Sequence, residues 1–305
     1  TTAIGNGVAY TGGNGVDTFT VGATTRAITT GGGNDVVTVN VTALGTGGSI
    51  DGGTGNNTLS MAAADAITAS NTNTFESTIS NFNRLSLAAA AATGAVNLAN
   101  LDDVNHITLA SVGNGNTLTL SNASSGVTVV HGANSAGTTA VTLAKVGTAD
   151  VANVTLSSAV AGSTVAGLTL SGFETMAFTS SDTDTDATDV ATVNIITAIT
   201  NADATSVSVS GNAGLALGAG FNGNTVLTNF DASAVTAGGV TYTSGILAGA
   251  STIRGGAGAD TLIAAAADAV GHRPRRAAAA PWHRAARRGA RRRSPPARPL
   301  GQQHD

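Results

Sequence analysis

The sequence predicts an all-β fold, a parallel β-roll or right-handed β-helix solenoid, and three observations carry that prediction. Glycine-rich nonapeptides stand at both ends of the first 270 residues, apolar–polar–apolar triplets recur between them, and the residues that build amphipathic helices are almost missing. Lys145 is the only lysine, and Glu76 and Glu174 are the only glutamates, so a helical bundle would lack its charged outer face. Short runs of Val, Thr, Leu and Ile broken by Gly, Asn and Ser suit strands instead.

The first segment, residues 1–62, reads as a β-roll. Gly12-Gly13-Asn14-Gly15-Val16-Asp17-Thr18-Phe19-Thr20 fits the nonapeptide G-G-x-G-x-D-x-U-x at every fixed position. Residues 30–38 (TGGGNDVVT) fit with Thr30 at the first glycine, and residues 52–60 (GGTGNNTLS) fit with Asn57 where Asp belongs. Phe19, Ile28 and Val37 fall nine apart, as do Ile50 and Leu59, which marks the inward positions of successive half-turns. The gap of thirteen from Val37 to Ile50 implies a four-residue insertion near residues 42–45.

The chemistry follows from that spacing. Two nonapeptides make one coil, so Asp17 and Asp35, 18 residues apart, stack at about one strand spacing of 4.8 Å. Like charges that close repel unless a cation sits between them. The glycines of these turns, Gly12, Gly15, Gly31, Gly33, Gly53 and Gly55, permit φ > 0 and turn backbone carbonyls inward, giving an all-oxygen cage suited to calcium. Arg26 replaces Asp on the intervening half-turn, which is expected to be metal-free. Asn57 keeps an oxygen but no charge, so a site there is expected to be weaker and shared with Asp51.

Residues 63–250, rich in Thr, Ser and Ala, carry the triplets. Val96-Asn97-Leu98, Ile107-Thr108-Leu109, Leu118-Thr119-Leu120, Val127-Thr128-Val129, Val141-Thr142-Leu143, Val154-Thr155-Leu156 and Leu168-Thr169-Leu170 are followed by Val193-Asn194-Ile195, Val207-Ser208-Val209 and Leu215-Ala216-Leu217. Alternation of this kind marks short strands with one buried face. An antiparallel sandwich would share the pattern, but nonapeptides on both sides favour a continued solenoid. The Ala-rich stretches 62–70 and 87–92 read as short helical turns or loops.

Residues 251–270 hold a second full repeat, 255–263 (GGAGADTLI), with Asp260, Gly256 and Gly258 in the motif positions and Ile253 and Leu262 in phase. Asp182, Asp184, Asp186 and Asp189 resemble the start of an EF-hand loop, but Ala187 and Val193 stand at its sixth and twelfth positions. Calcium at this loop and a solvated acidic turn both stay open. His106 and His131 have no second ligand at metal spacing and read as ordinary polar positions.

Residues 271–305 are a different object. They hold all five prolines and ten of the 14 basic residues, a net charge of +9 against −13 for residues 1–270. Arg291-Arg292-Arg293 could signal nucleic-acid or membrane binding. The abrupt Ala/Arg/Pro/Gly mixture instead reads as a disordered tail from a frameshift or an assembly artefact, and no nucleic-acid partner is expected. The chain has no cysteine, hence no disulfide or thiolate metal site. It has no run of about 18 apolar residues to span a membrane, and Thr1 opens no signal-peptide pattern. A piece of a longer protein is the expectation.

Six stretches in order, 27–39 (AITTGGGNDVVTV), 171–176 (SGFETM), 182–185 (DTDT), 211–217 (GNAGLAL), 229–236 (NFDASAVT) and 253–262 (IRGGAGADTL), resemble the RTX-type surface-layer proteins of Caulobacter and its relatives. The resemblance implies the lattice-forming region of an extracellular, type I-secreted subunit that assembles with copies of itself on the cell surface in a calcium-dependent array. It implies carboxylate ligands at Asp17, Asp35 and Asp260, with carbonyls around Gly12, Asn14, Gly31, Gly33, Gly256 and Gly258. The family's polysaccharide-anchoring amino-terminal region and its carboxy-terminal secretion region are not seen here. An RTX adhesin, or the calcium-binding module of another type I-secreted protein, is the alternative. With neither H-E-x-x-H nor G-x-S-x-G and no cysteine nucleophile, an enzyme is not expected.

Overall fold

The computed structural model describes residues 3–158, 162–183, 192–218 and 221–264, all within the unit Thr1–Pro274. The reading of residues 271–305 falls outside them, as do Asp184, Asp186 and Asp189. The chain winds through β1 (Ala3–Ile4), β2 (Tyr10–Thr11), β3 (Thr18–Val21), β4 (Ala27–Thr29), β5 (Val36–Thr38), β6 (Ser49–Asp51) and β7 (Thr58–Met61). After helix α1 (Ala63–Ala69) come β8 (Ile79–Ser80), β9 (Arg84–Leu87), β10 (Gly94–Asn97), β11 (His106–Leu109), β12 (Thr117–Ala123), β13 (Val127–His131) and β14 (Ser135–Leu143). There follow β15 (Val151–Ser158), β16 (Thr164–Ser171), β17 (Thr175–Asp182), β18 (Val193–Thr200), β19 (Ser206–Gly211) and β20 (Gly214–Leu217). The last are β21 (Phe221–Asn222), β22 (Asn229–Val235), β23 (Val240–Thr243), β24 (Thr252–Arg254) and β25 (Thr261–Ile263).

Strands alternate between faces, and each pairs in parallel with its counterpart one coil away. One sheet has twelve strands, β1-β3-β5-β7-β9-β11-β13-β15-β17-β19-β22-β24. The facing wall is β2-β4-β6-β8 in the first coils and β10-β12-β14-β16-β18-β20-β23-β25 afterwards, with β21 beside β18. This is the parallel solenoid that the triplets and nonapeptides predict, and the sandwich is excluded. Among the described residues no helix is long and apolar enough to cross a membrane.

Stacking makes the core. Phe19, Val37, Leu59, Leu85, Ile107, Val129, Val154, Phe178 and Val209 occupy one register column, each opposite the next, and none exceeds 7% exposure. Burying each such side chain stabilises the coil by roughly 1.5–3 kcal/mol, so the column is a spine for the fold. Ile28 and Ile50 stack likewise on the short sheet, and the predicted phase from Phe19 to Leu59 is the buried one. Ile253 and Leu262, by contrast, are only half-buried against the core. Near them a stacked pair of rings, Phe230 of β22 and Tyr242 of β23, joins the two long sheets at 4.0 Å between centroids.

Coil length varies while the rungs keep their register. Thr18 lies opposite Val36, 18 residues on, the length of two nonapeptides. Val36 lies opposite Thr58, 22 residues on, and the extra four fall in the 40–48 turn as the phase predicts. The Ala-rich stretch 62–70 forms α1, which lengthens the next coil. Corner side chains bond backbone amides of the adjacent coil: Phe82 N–H donates to Asp102 Oδ2 (2.6 Å), Thr164 N–H to Asn134 Oδ1 (2.8 Å) and Asp150 N–H to Glu174 Oε2 (2.7 Å).

One triplet runs in the opposite phase. Val193-Asn194-Ile195 predicts Asn194 outside, yet Asn194 is fully buried and Ile195 is exposed. The two adjacent isoleucines allow either phase, and Ile196 and Ile199 face inward opposite Val165 and Leu168. Asn194 then finds its partners inside the core. It accepts from Ser163 N–H (2.7 Å) and donates towards Ser180 Oγ (2.9 Å) and the carbonyls of Leu156 and Ser181. Asn194→Leu is expected to lower stability in urea unfolding by about 2 kcal/mol, because it orphans a buried donor. A change below about 0.5 kcal/mol would show that the fold does not depend on this amide.

Candidate metal centre

The site is the corner that leads from β2, β4 and β6 into β3, β5 and β7. Register places Asp17, Asp35 and Asn57 in one column, each just before a paired strand. Asp17 N–H donates to Asp35 Oδ1 (2.8 Å), and Asp35 N–H donates to Asn57 Oδ1 (3.0 Å). Asp35 and Asn57 thus each lend one side-chain oxygen to the backbone ladder. The other oxygens, Asp17 Oδ2 and Asp35 Oδ2, are buried without a hydrogen-bond partner, and Asp35 is fully enclosed. Two ionised carboxylates one strand spacing apart repel by roughly 3 kcal/mol at an effective dielectric of about 20. A like-charged pair with two buried oxygens that no hydrogen bond uses is a poor protein structure and a good cation site.

The turn backbone explains the glycines. Gly31, Gly33, Gly53 and Gly55 have φ of +96°, +136°, +66° and +124°, a region costly for any other residue type. Each also packs on a carbonyl of the coil before it, where a Cβ would collide: Gly31 on Gly13, Gly33 on Gly15, Gly53 on Gly31 and Gly55 on Gly33. Gly12 serves differently, since a Cβ there would strike the Thr30 carbonyl and Asp17 Oδ2. Gly15 faces open space, and Asn14 lies over Gly32 of the next coil. Thr30, at the motif's first-glycine position, sends its buried hydroxyl to the Gly52 carbonyl (2.7 Å).

The other predicted ligands lie elsewhere or are engaged. Asn57 Nδ2 donates to the carbonyls of Asn81 (3.0 Å) and Gly53 (3.3 Å), so both ends of its amide serve the fold. Asp51 accepts from Asn81 Nδ2 (2.6 Å) and Gly53 N–H (2.8 Å), and these bonds, Asn81 first, hold its carboxyl below the usual range. Asp260 sits over Gly255 as Asp17 sits over Gly12, but on the corner leading to β25. Its register neighbour is Val240, whose N–H it binds (2.8 Å), so no second carboxylate stacks there among the described residues. Gly256 packs against Val235 and Ala232, and Gly258 against the Gly238 carbonyl; neither has positive φ. Asp182 accepts from the Thr192 hydroxyl (2.5 Å).

Among the described residues no three His, Cys, Asp or Glu side chains gather as a metal cluster. The first corner therefore offers two carboxylate oxygens, and the remaining ligands would be backbone carbonyls and water, a hard-oxygen set that fits calcium. Sequence reasoning missed Tyr10. Its ring packs on Phe19 with centroids 5.0 Å apart, and burial, then the negative charge of Asp17, a hydrogen bond to the Asp17 carboxylate and the charge of Asp35 push its phenol up. The signal was present, since Tyr10 precedes Phe19 by the same nine residues that link Phe19 to Ile28. His131, expected at an ordinary polar position, instead points into the core with 1% exposure, because even-numbered offsets from Val129 face inward. His106 lies half-buried opposite Arg84, and burial followed by that cation lowers its pKa.

No family model matches the chain, and no curated protein matches it.

Asp35→Asn tests the electrostatics directly. An amide oxygen can still accept from Asp17 N–H, as Asn57 does for Asp35, while the repulsion disappears. In EDTA this variant is expected to be more stable than the parent by about 1–3 kcal/mol, and calcium should add little. A variant less stable than its parent in EDTA would show that the carboxylate pair is not strained.

Proposed function

We propose that this chain is a structural segment of a calcium-dependent, extracellular surface layer, in which calcium at the Asp17–Asp35 corner completes folding and so licenses assembly with further copies. The observation that carries the proposal is the pair of buried carboxylate oxygens without partners. Asp17 and Asp35 would hold the ion, with carbonyls of the 12–15 and 30–33 turns completing the shell. A bound divalent cation supplies positive charge and oxygen coordination where the fold alone leaves repulsion.

Charge supports the coupling. Residues 1–270 carry a net −13, so compaction is opposed where calcium is scarce and favoured where it is plentiful. Extracellular modules of this kind bind calcium at about 10⁻⁴–10⁻³ M, a range that separates the outside of a cell from its interior. The ordered set of six stretches that resemble RTX surface-layer proteins supports the lattice over a generic calcium module. The role is mechanical, with no catalytic step assigned to any residue.

The test is a calcium titration of the chain by far-UV circular dichroism with EDTA reversal, beside an Asp17→Ala/Asp35→Ala variant, followed by electron microscopy of the calcium-loaded protein. The expected result is a calcium-driven gain of β signal, weakened in the variant, and ordered sheets of protein at millimolar calcium. A β spectrum indifferent to calcium would remove the switch. Calcium-driven folding without arrays, but with binding to cells or glycans, would move the assignment to an RTX adhesin.

A further inference from the structure

Inside the solenoid, Met61, Leu87, Leu109, His131 and Leu156 form a second interior column, each in register with the next. His131 interrupts four apolar side chains with an imidazole that is 1% exposed, and neither Nδ1 nor Nε2 has a hydrogen-bond partner. Buried polar groups are nearly always paired, so two orphaned nitrogens on one ring are an anomaly with a cost.

Among the described residues, its surroundings hold no counter-charge. β11 and β15, which flank β13, present Leu109 and Leu156 to the ring. The facing strands β12, β14 and β16 contain no titratable or charged residue, and neither does β15. The one such group on the packed elements is His106 of β11, which the strand alternation places on the outer face. Residues 159–161, after β15, are Ala-Val-Ala.

We infer that His131 is an acid-release point, a neutral side chain that holds the middle coils closed near pH 7 and opens the coils from β11 to β15 when protonated. Opening at this point would divide the twelve-stranded sheet and dismantle an assembly built on it, at a place remote from the carboxylate corner. The sign follows from linkage. Burial lowers the His131 pKa from 6.5 to about 4, so the folded state takes up its proton later than the unfolded chain does. The stability contributed by the neutral ring is complete above pH 6.5 and is lost as pH falls through the window towards 4.

Amide hydrogen exchange of the whole chain in saturating calcium, at pH 7.5 and pH 4.5, tests the inference, with His131→Leu and His131→Met measured alongside. Protection factors in β11, β13 and β15 of the parent are expected to fall by about fifty- to a hundredfold between the two pH values, and those of the variants to hold. Protection lost equally from parent and variants would overturn the inference, assigning acid sensitivity to the carboxylates; β3 and β5 report that loss separately. If neither variant folds, NMR titration of the His131 ring in the parent decides. A midpoint near 6.5 overturns the inference, and protonation only below about pH 5, together with loss of protection in β13, supports it.

Discussion

In this molecule each side chain meets its own counterpart from the neighbouring coil, because parallel register repeats the same position at one strand spacing. Whatever stands at a position is therefore tested against itself. Apolar residues pass that test, and the column from Phe19 to Val209 is the result. Carboxylates fail it, as Asp17 on Asp35 illustrates. Opposite charges pass again: Asp231 stacks against Arg254 with 3.5 Å between Oδ2 and the guanidinium. This exposed pair contributes little, under about 1 kcal/mol, but it sets opposite charges side by side where the register repeats one position.

The corners answer a second demand, that turning backbone must find partners once it leaves the sheets. Asn and Asp do this by reaching across one coil, as Asp102, Asn134, Asn194 and Asn57 do for amides 20 to 31 residues away. The same residue types that complete the backbone ladder are thus those that can carry a metal. At the first corner, Asp17 and Asp35 each keep one buried oxygen that no hydrogen bond uses.

Local repetition made part of this legible. The phase of nine from Phe19 to Val37, the insertion after Val37 and the stacking of Asp17 on Asp35 all depend on coils of nearly regular length. Beyond residue 60 coil length becomes irregular, and with it the identity of vertical neighbours. Asp51 meets Asn81 thirty residues on, a pairing set by α1 and its loop, so its engagement could not be foreseen. Asn194 was misplaced because Ile195-Ile196 satisfies both strand phases. His131 looked ordinary because only the observed register shows that it lies between Leu109 and Leu156. The glycine pattern of 255–263 was visible, but its lack of a stacked second carboxylate was hidden in the identity of Val240.

The turn at 40–48 and the helix-bearing loop after β7 lengthen their coils without disturbing the rungs on either side. Axial rise is consequently quantised at about 4.8 Å per coil, whatever number of residues the coil contains. Circumference is adjustable and pitch is not. A peptide grafted into either of those two corners would protrude sideways and leave the vertical spacing of every other feature unchanged, which makes the solenoid a graduated rod on which exposed loops can be exchanged one division at a time.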